Sequence, residues 1–113
     1  MSCLFCKISL GEIPSTILFE DEHVIAFRDI HPQAPIHCLV IPRRHIATIN
    51  DLQPQDTELV GHMIQVGKNV ARQEGLSENG YRLVFNVNEH GGQEVYHIHL
   101  HLLGGRKMHW PPG

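Results

Sequence analysis

The sequence lacks the patterns that mark several large classes of protein. No apolar run approaches the roughly 20 residues of a membrane-spanning helix, so we expect no membrane segment. Nine Lys and Arg against twelve Asp and Glu give a formal charge of −3, which argues against binding to nucleic acid or to an acidic membrane. Residues 1–7 lack a charged segment followed by an apolar one, so we expect no secretory signal and a cytosolic location.

Cysteine is scarce as well. Three Cys, an odd number in a chain with no predicted export signal, argue against a disulfide framework. Apolar residues make up 42% and charged residues 19%, which is enough for a packed core and excludes general disorder. With 113 residues and no repeat or linker, we predict a single domain over residues 1–113. Histidine is abundant instead, with ten residues of the side chain that titrates near neutral pH.

The apolar periodicity predicts an α+β fold. Residues 3–9 are interpreted as a short helix or turn, and helical spacing predicts one long helix over 54–74, with Gly75 just past its end. Residues 88–94 are predicted to form a polar loop. Strands are predicted at 17–20, 24–28, 38–41, 81–87 and 96–103. Five strands with short connections indicate an antiparallel sheet with the long helix on one face.

Three histidines alternate with apolar residues in the segment HIHLHLL at 97–103. On a strand, this spacing places His97, His99 and His101 on one face and the aliphatic side chains on the other. The imidazoles could bind a metal, or one could attack phosphorus while its neighbours hold the phosphate oxygens. The glycines at 91–92 and 104–105 let backbone N–H groups approach a phosphate, and the strand has no carboxylate, so phosphate chemistry is favoured.

The same segment matches the signature of the histidine triad (HIT) superfamily, and other motifs resemble its nucleotide-binding Hint branch. These motifs are DIHPQAPIH at 29–37, GGQEVYH at 91–97 and WPPG at 110–113. The resemblance implies a HIT-like fold and a homodimer with Trp110 near the partner's site. From the residues alone, a tail packed on its own domain is an equally good interpretation of Trp110.

The resemblance also implies an activity, the hydrolysis of purine nucleoside 5′-phosphoramidates and of acyl- or lysyl-adenylates, releasing AMP or GMP without an organic cofactor. His99 would attack the α-phosphorus, and His37, His97 and His101 would support it. Glu94 stands where relatives often carry Ser to protonate the leaving amine, so its role is open. The expected nucleotide contacts are Phe5, Ile8, Phe27, Asp29, Ile30, Asn86, Gly92, Gln93, His99 and His101. From pattern alone, the four apolar residues could equally be core and Asp29 could cap a turn.

Cys3 and Cys6 form a C-x2-C pair. Alone, such a pair fits half of a zinc site, a redox motif or two buried thiols. The resemblance implies that His45 and His97 complete a zinc site. With four protein ligands and no position for water, such a zinc would be structural.

Other functions stay open at this point. Within the superfamily, the chain could hydrolyse dinucleoside polyphosphates or transfer nucleotides. It could instead be a nucleotide-binding adaptor with incidental turnover, or a zinc-storage or zinc-dependent binding module. Outside the motifs, His62 is predicted to be solvated on the outer helix face. His90, in the Gly-rich loop, could approach the active site or be a surface loop residue.

Overall fold

The computed structural model describes residues 3–113, which contain five strands and three α-helices. The helices are α1 (Leu4–Ser9), α2 (Thr57–Gln73) and the single turn α3 (Asn88–Gly91). The strands are β1 (Ile17–Glu20), β2 (Val24–Arg28), β3 (Ile36–Pro42), β4 (Tyr81–Val84) and β5 (Leu100–Gly104). All pairings are antiparallel, in the order β1-β2-β3-β5-β4. The predicted α+β class, with one long helix and a short amino-terminal helix, is confirmed.

Strands β2 and β3 are buried on both faces of the sheet, and successive side chains of a strand point to opposite faces. On β3, Cys38 and Val40 pack towards α2, whereas His37, Leu39 and Ile41 face α1. The predicted alternation of the last strand holds in the same way, since Ile98, Leu100 and Leu102 are buried in the α2-side core. The imidazoles therefore lie on the side of the sheet that α1 covers.

Helix α2 is shorter than predicted at its start. Residues Pro54–Asp56 form a 3₁₀ turn, and regular α-helix begins at Thr57. At the other end, Gly75 adopts a φ of 77°, the left-handed conformation that glycine supplies after a helix. The face towards the sheet buries Met63, Val66 and Val70.

The last strand begins at Leu100, so the prediction of a strand from residue 96 is wrong. Along β3 the ladder to β5 ends at Val40 paired with Leu100. Pro42 has no N–H to donate, and its carbonyl oxygen accepts from the His97 imidazole instead. The fourth strand likewise ends at Val84 rather than at 87, and residues 88–91 of the predicted loop form α3.

Two further side chains bear on the expectations from the sequence. His62 is not simply solvated, because its Nε2 lies 2.7 Å from Oδ2 of Asp21 in the β1–β2 turn. Trp110 is 83% exposed, which contradicts a tail that packs it on its own domain. Within residues 3–113, no helix combines the length and the apolarity needed to cross a bilayer.

Candidate active site

A cavity of about 570 Å³ opens on the sheet face that α1 covers. Its volume is typical of small-molecule sites. Helix α1 and strand β2 supply apolar side chains to it, and β3 and β5 supply imidazoles. The predicted residues that line it are Phe5, Ile8, Phe27, Asp29, Ile30, His37, Asn86, Gly92, Glu94, His99 and His101. Phe5, Ile8 and Phe27 are buried, whereas Ile30 is 80% exposed at the rim.

The surroundings of His99 fix which nitrogen carries its proton. Nδ1 lies 2.8 Å from the carbonyl oxygen of His97. A carbonyl can only accept, so Nδ1–H donates and the neutral ring keeps a lone pair on Nε2. Burial lowers the pKa of His99, against the opposing effects of this hydrogen bond and of the negative charges of Asp29 and Glu94. Phe5 packs edge-on against the ring, with 5.0 Å between centroids. His99 is thus oriented, neutral and equipped with a nucleophilic nitrogen.

A chain of hydrogen bonds sets the tautomers of the two neighbouring imidazoles. The backbone N–H of Gln33 donates to Nδ1 of His37 over 3.0 Å, so the proton of neutral His37 is on Nε2. That proton is donated to Nδ1 of His101, 2.9 Å away. Burial lowers the pKa of His37, and burial together with the neighbouring His99 and His37 lowers the pKa of His101 to about 4. Neutral His101 therefore carries its proton on Nε2, the nitrogen left free to donate.

Asp29 has two partners on this side of the cavity. Its Oδ1 accepts from the backbone N–H of His31 over 2.8 Å, so the carboxylate caps the turn at residues 29–32. Its Oδ2 lies 3.5 Å from Nε2 of His37. Because a carboxylate offers about four lone-pair directions, the turn-capping role leaves capacity for a ligand hydroxyl.

Gln93 does not line the cavity, although the sequence placed it among the nucleotide contacts. Its side chain is buried, and Oε1 accepts from the N–H of Asn88 over 2.9 Å. Its Nε2 donates to the carbonyl oxygens of Ala47 and Val95 over 2.8 and 3.1 Å. The carboxamide thus fastens the turn that carries Gly92, which has a φ of 78° and does line the cavity.

The side chain of His97 also lies outside the cavity. Its side chain and its backbone contact different groups. Nε2 lies 2.8 Å from the carbonyl oxygen of Pro42, which puts the proton there and leaves a lone pair on Nδ1. Nδ1 is 3.3 Å from Sγ of Cys3 and 3.6 Å from Sγ of Cys6. The backbone carbonyl of His97 accepts the hydrogen bond from Nδ1 of His99.

Four potential metal ligands, one of which is His97, lie close together. Cys3, Cys6, His45 and His97 each offer one ligand atom, all within 4.8 Å of one another. Sγ of Cys6 is 3.4 Å from Nδ1 of His45. Tetrahedral zinc, with Zn–S bonds of about 2.3 Å and Zn–N bonds of about 2.0 Å, implies S···N separations of about 3.5 Å. The separations of 3.3 to 3.6 Å match this geometry, so the set could hold such an ion.

A second group, Asp29, His37 and His101, also lies within 4.8 Å. The tautomers of His37 and His101 argue against a metal ion at this group. Nδ1 of His37 already accepts from Gln33, so a metal on Nε2 would leave the ring with no proton on either nitrogen. The proton between His37 and His101 occupies the position that the ion would need.

Some cavity residues were not among the predicted contacts. Leu39 could have been found from the period-two pattern, because it follows His37 by two residues on β3. Ile13, Val95 and the backbone donor Gln33 carry no comparable signal, since turns and long-range packing place them there.

Comparison with known proteins agrees with this geometry. The family model described as "Scavenger mRNA decapping enzyme C-term binding" matches residues 2–110. The chain is 55% identical to the purine nucleoside phosphoramidase of Escherichia coli (strain K12) over 105 residues, 93% of this chain and 88% of that protein. It is 53% identical to a 14 kDa zinc-binding protein of Zea mays over 112 residues, 97% of this chain and 87% of that one.

The solved structures include a HIT family hydrolase from Legionella pneumophila Philadelphia 1. It is 66% identical, with a TM-score of 0.97, and the alignment covers 99% of this chain and all of that one. The five-stranded antiparallel sheet with an imidazole cluster beside a cavity of small-molecule size places the chain among α+β proteins with a ligand-sized site. Within that class, the chain belongs to the histidine triad family, as its sequence motifs predicted.

Proposed function

We propose that this protein hydrolyses the P–N bond of purine nucleoside 5′-phosphoramidates. The observation that carries the proposal is the free Nε2 of His99 in a nucleotide-sized cavity, in a chain 55% identical to a named purine nucleoside phosphoramidase. Acyl- and lysyl-adenylates present the same α-phosphorus to the same nitrogen and are further expected substrates. The products would be AMP or GMP.

The reaction would proceed in two steps. Nε2 of His99 forms a bond to the α-phosphorus while the P–N bond to the amine breaks, and the leaving amine takes up a proton from solvent water. Water then attacks the nucleotidyl-histidine, which releases the nucleotide and regenerates His99. The Nε2–H of His101, oriented through His37 and Gln33, would donate to a phosphate oxygen as negative charge develops.

The remaining cavity residues would hold the nucleotide. Phe5, Ile8, Phe27 and Ile30 form an apolar region suited to a purine, and the free lone pairs of Asp29 suit ribose hydroxyls. Gly92 and Asn86 line the same cavity as the imidazoles and would contact the phosphate. Glu94 is exposed at the same end, where the amine would leave. Gln93 would act by holding the Gly92 turn in place.

The test is turnover of adenosine 5′-phosphoramidate by the parent protein, His99→Ala and a control, His23→Ala, which removes an exposed histidine of the β1–β2 turn. We expect AMP release by the parent and the control, and a loss of at least about a thousandfold in His99→Ala. Retained AMP binding by His99→Ala would show that only chemistry was removed. If the folded parent binds AMP but releases none from the phosphoramidate, the protein is a nucleotide-binding module and the proposal is wrong.

We further propose that Cys3, Cys6, His45 and His97 hold a structural zinc ion. The Cys2His2 donor set, the S···N separations and the free Nδ1 of His97 support it, as does the similarity to a zinc-binding protein. Metal analysis should give one zinc per chain in the parent and in His99→Ala, and none in a Cys3→Ser/Cys6→Ser variant. Zinc lost in His99→Ala would instead point to a metal at the triad itself.

Finally, we propose a homodimer with Trp110 near the partner's site. An 83% exposed Trp at the start of the WPPG segment is the support for a partner surface there. Because Trp110 is the only Trp, its fluorescence reports on this contact directly. Light scattering should give twice the chain mass, and dilution to the monomer should shift Trp110 emission to longer wavelength. A monomer at all concentrations would contradict the proposal.

A further inference from the structure

Helix α1 forms one wall of the cavity but is too short to be stable by itself. It has six residues, and Leu4, Phe5 and Ile8 line the cavity. Isolated helices below about 12 residues are marginal in water, because the cost of nucleation is not recovered. The position of Phe5, which contacts both the cavity and His99, therefore depends on what holds the helix to the sheet.

The amino-terminal end of α1 is held at the cysteines. Cys3 is its N-cap residue and Cys6 lies in its first turn, so both belong to the potential metal set. The carboxyl-terminal end closes on itself at Gly11, where Gly11 N–H donates to the Ile8 carbonyl and Glu12 N–H to the Lys7 carbonyl. This leaves the carbonyl of Ser9 without a backbone donor from the turn.

Arg43, directly after β3, supplies that donor. Its Nη1 donates to the Ser9 carbonyl over 2.8 Å and approaches Ser9 Oγ at 3.3 Å. Its Nε donates to the Asp21 carbonyl over 2.7 Å, and its Nη2 to Oε1 of Glu20 over 2.8 Å. A positive charge at a helix carboxyl terminus is also favourable towards the helix dipole. One planar guanidinium thus joins α1 to the β1–β2 hairpin.

The backbone of Arg43 is fixed as well. Its N–H donates to the carbonyl of His23 over 2.9 Å, and the preceding Pro42 carbonyl accepts from His97. The guanidinium therefore extends from a rigid point of the sheet. Its side chain is 28% exposed, so these hydrogen bonds are only partly screened by water.

We propose that Arg43 is a positioning residue for nucleotide binding, which holds the carboxyl end of α1 and so keeps Phe5 and Ile8 in the wall of the cavity. Arg43 does not touch the cavity itself. The inference rests on the proposed function only in naming the ligand, because any purine nucleotide bound here would meet the same wall. Lysine could not replace it fully, since a single ammonium cannot serve acceptors on both α1 and the hairpin in the planar geometry of the guanidinium.

The experiment measures AMP binding, phosphoramidate turnover and native-state amide exchange in Arg43→Met and Arg43→Lys. The matched control is Arg44→Met, the adjacent arginine, whose Nη2 pairs with Asp56 at the start of α2. We expect the AMP dissociation constant and the KM to rise about tenfold in Arg43→Met, the size of one lost charged hydrogen bond, and less in Arg43→Lys, with kcat within about twofold. Exchange of the Leu10 and Glu12 amides should speed up while that of the α2 amides stays unchanged.

The outcomes separate positioning from plain stability. A variant that unfolds at lower temperature but binds AMP like the parent when folded would overturn the proposal, as would equal losses in Arg43→Met and Arg44→Met. A fall in kcat with unchanged KM would also overturn it. If the parent turns over no phosphoramidate, the proposed function fails, but AMP affinity and amide exchange still decide the role of Arg43.

Discussion

The two faces of the sheet are held by different forces. On one side, the 17-residue α2 covers a large apolar core that includes Met63, Val70 and Leu100. On the other side, the six-residue α1 covers a small cluster around Phe5 and Ile41, and the rest of that face consists of imidazoles and a cavity. Burial of apolar area is the dominant favourable contribution to folding, so most of the stability should come from the α2 face.

On the α1 side of the sheet, which carries the cavity and is called the functional face below, hydrogen bonds and ion pairs take the place of part of the apolar packing. His99 is oriented by a carbonyl, and His101 by His37 and Gln33. Helix α1 is joined to the sheet by Arg43 and by the contacts of its cysteines with His97 and His45. Such connections contribute little net stability, but they specify geometry. The comparison therefore predicts that stability and nucleotide binding can be changed separately, each through one face.

The largest change in stability should come from truncating the α2 core. Met63 is fully buried, and Met63→Ala should lower the free energy of unfolding by about 2–5 kcal/mol through lost contacts and a residual cavity. The folded variant should bind AMP as the parent does. The neighbouring Ile64→Ala, at a 43% exposed position, is the control and should cost less than about 1 kcal/mol. Urea denaturation with AMP titration measures both. Weakened AMP binding in Met63→Ala would show that the faces are not separable.

Metal removal tests the opposite face. Zinc that binds only the folded state should stabilise it by about 2.7 kcal/mol when free zinc is a hundred times the dissociation constant. A chelator should remove this stabilisation and weaken AMP binding, because α1 then keeps only its apolar contacts and the hydrogen bond at Ser9. Chelation should change nothing in Cys3→Ser/Cys6→Ser, whereas Cys38→Ala, on the α2 face, should still respond. If the chelator lowers stability but leaves AMP affinity unchanged, the metal does not position the cavity wall and this prediction is wrong.

The sequence predicted much of this arrangement because alternation and motif spacing are local properties. Residues two apart on a strand share a face, so His101 on β5 was correctly separated from Leu100 and Leu102. His97 and His99 lie before the strand, and of these two only His99 lines the cavity. The Cys–His set could be expected only through the family resemblance, since residues 3, 6, 45 and 97 are distant in sequence.

Contacts made through the backbone could not be predicted in this way. The N–H of Gln33 on His37 and the carbonyl of Pro42 on His97 depend on loop conformation, which the residue types do not specify. The same holds for Gln93. Its residue type is equally compatible with a phosphate contact and with a backbone contact, and only the structure shows that its carboxamide donates to the Ala47 carbonyl. Arg43 gave no signal at all, because a charged residue after a strand is usually solvated.

Acid should destabilise the functional face through His101. Folded His101 remains neutral down to about pH 4, because burial and the nearby His99 and His37 outweigh Asp29 in setting its pKa. An unfolded histidine binds its proton near pH 6.5. Between these pH values the unfolded state binds more protons, so the contribution of neutral His101 is complete above about pH 6.5 and is lost as pH falls towards 4.

His101→Gln should therefore show a shallower decline in unfolding free energy over that pH window than the parent protein. His101→Gln also removes the acceptor of the His37 Nε2–H, so the difference between the two urea-denaturation series reports on His101 together with the imidazoles that it contacts. A second variant, His31→Gln, alters an exposed histidine and should follow the parent curve. Parallel curves for the parent and His101→Gln would show that the buried imidazole does not titrate in this way.

The smallest effect should come from a polar connection on the α2 side. Burial would raise the pKa of Asp21, but hydrogen bonds from His62 and from the N–H groups of Val24 and His23 outweigh it and lower this pKa to about 2. His62→Ala removes one of these donors, at side chains that are 40% and 30% exposed. The expected loss is below about 1 kcal/mol and shrinks in salt.

In His62→Ala, the two backbone donors still hold the turn, and the apolar core still holds α2. Arg43 makes the same kind of connection where only the small cluster around Phe5 and Ile41 lies behind it, so AMP affinity should respond to Arg43→Met and not to His62→Ala. Equal AMP affinities in the two variants would mean that α1 is held by its apolar contacts after all.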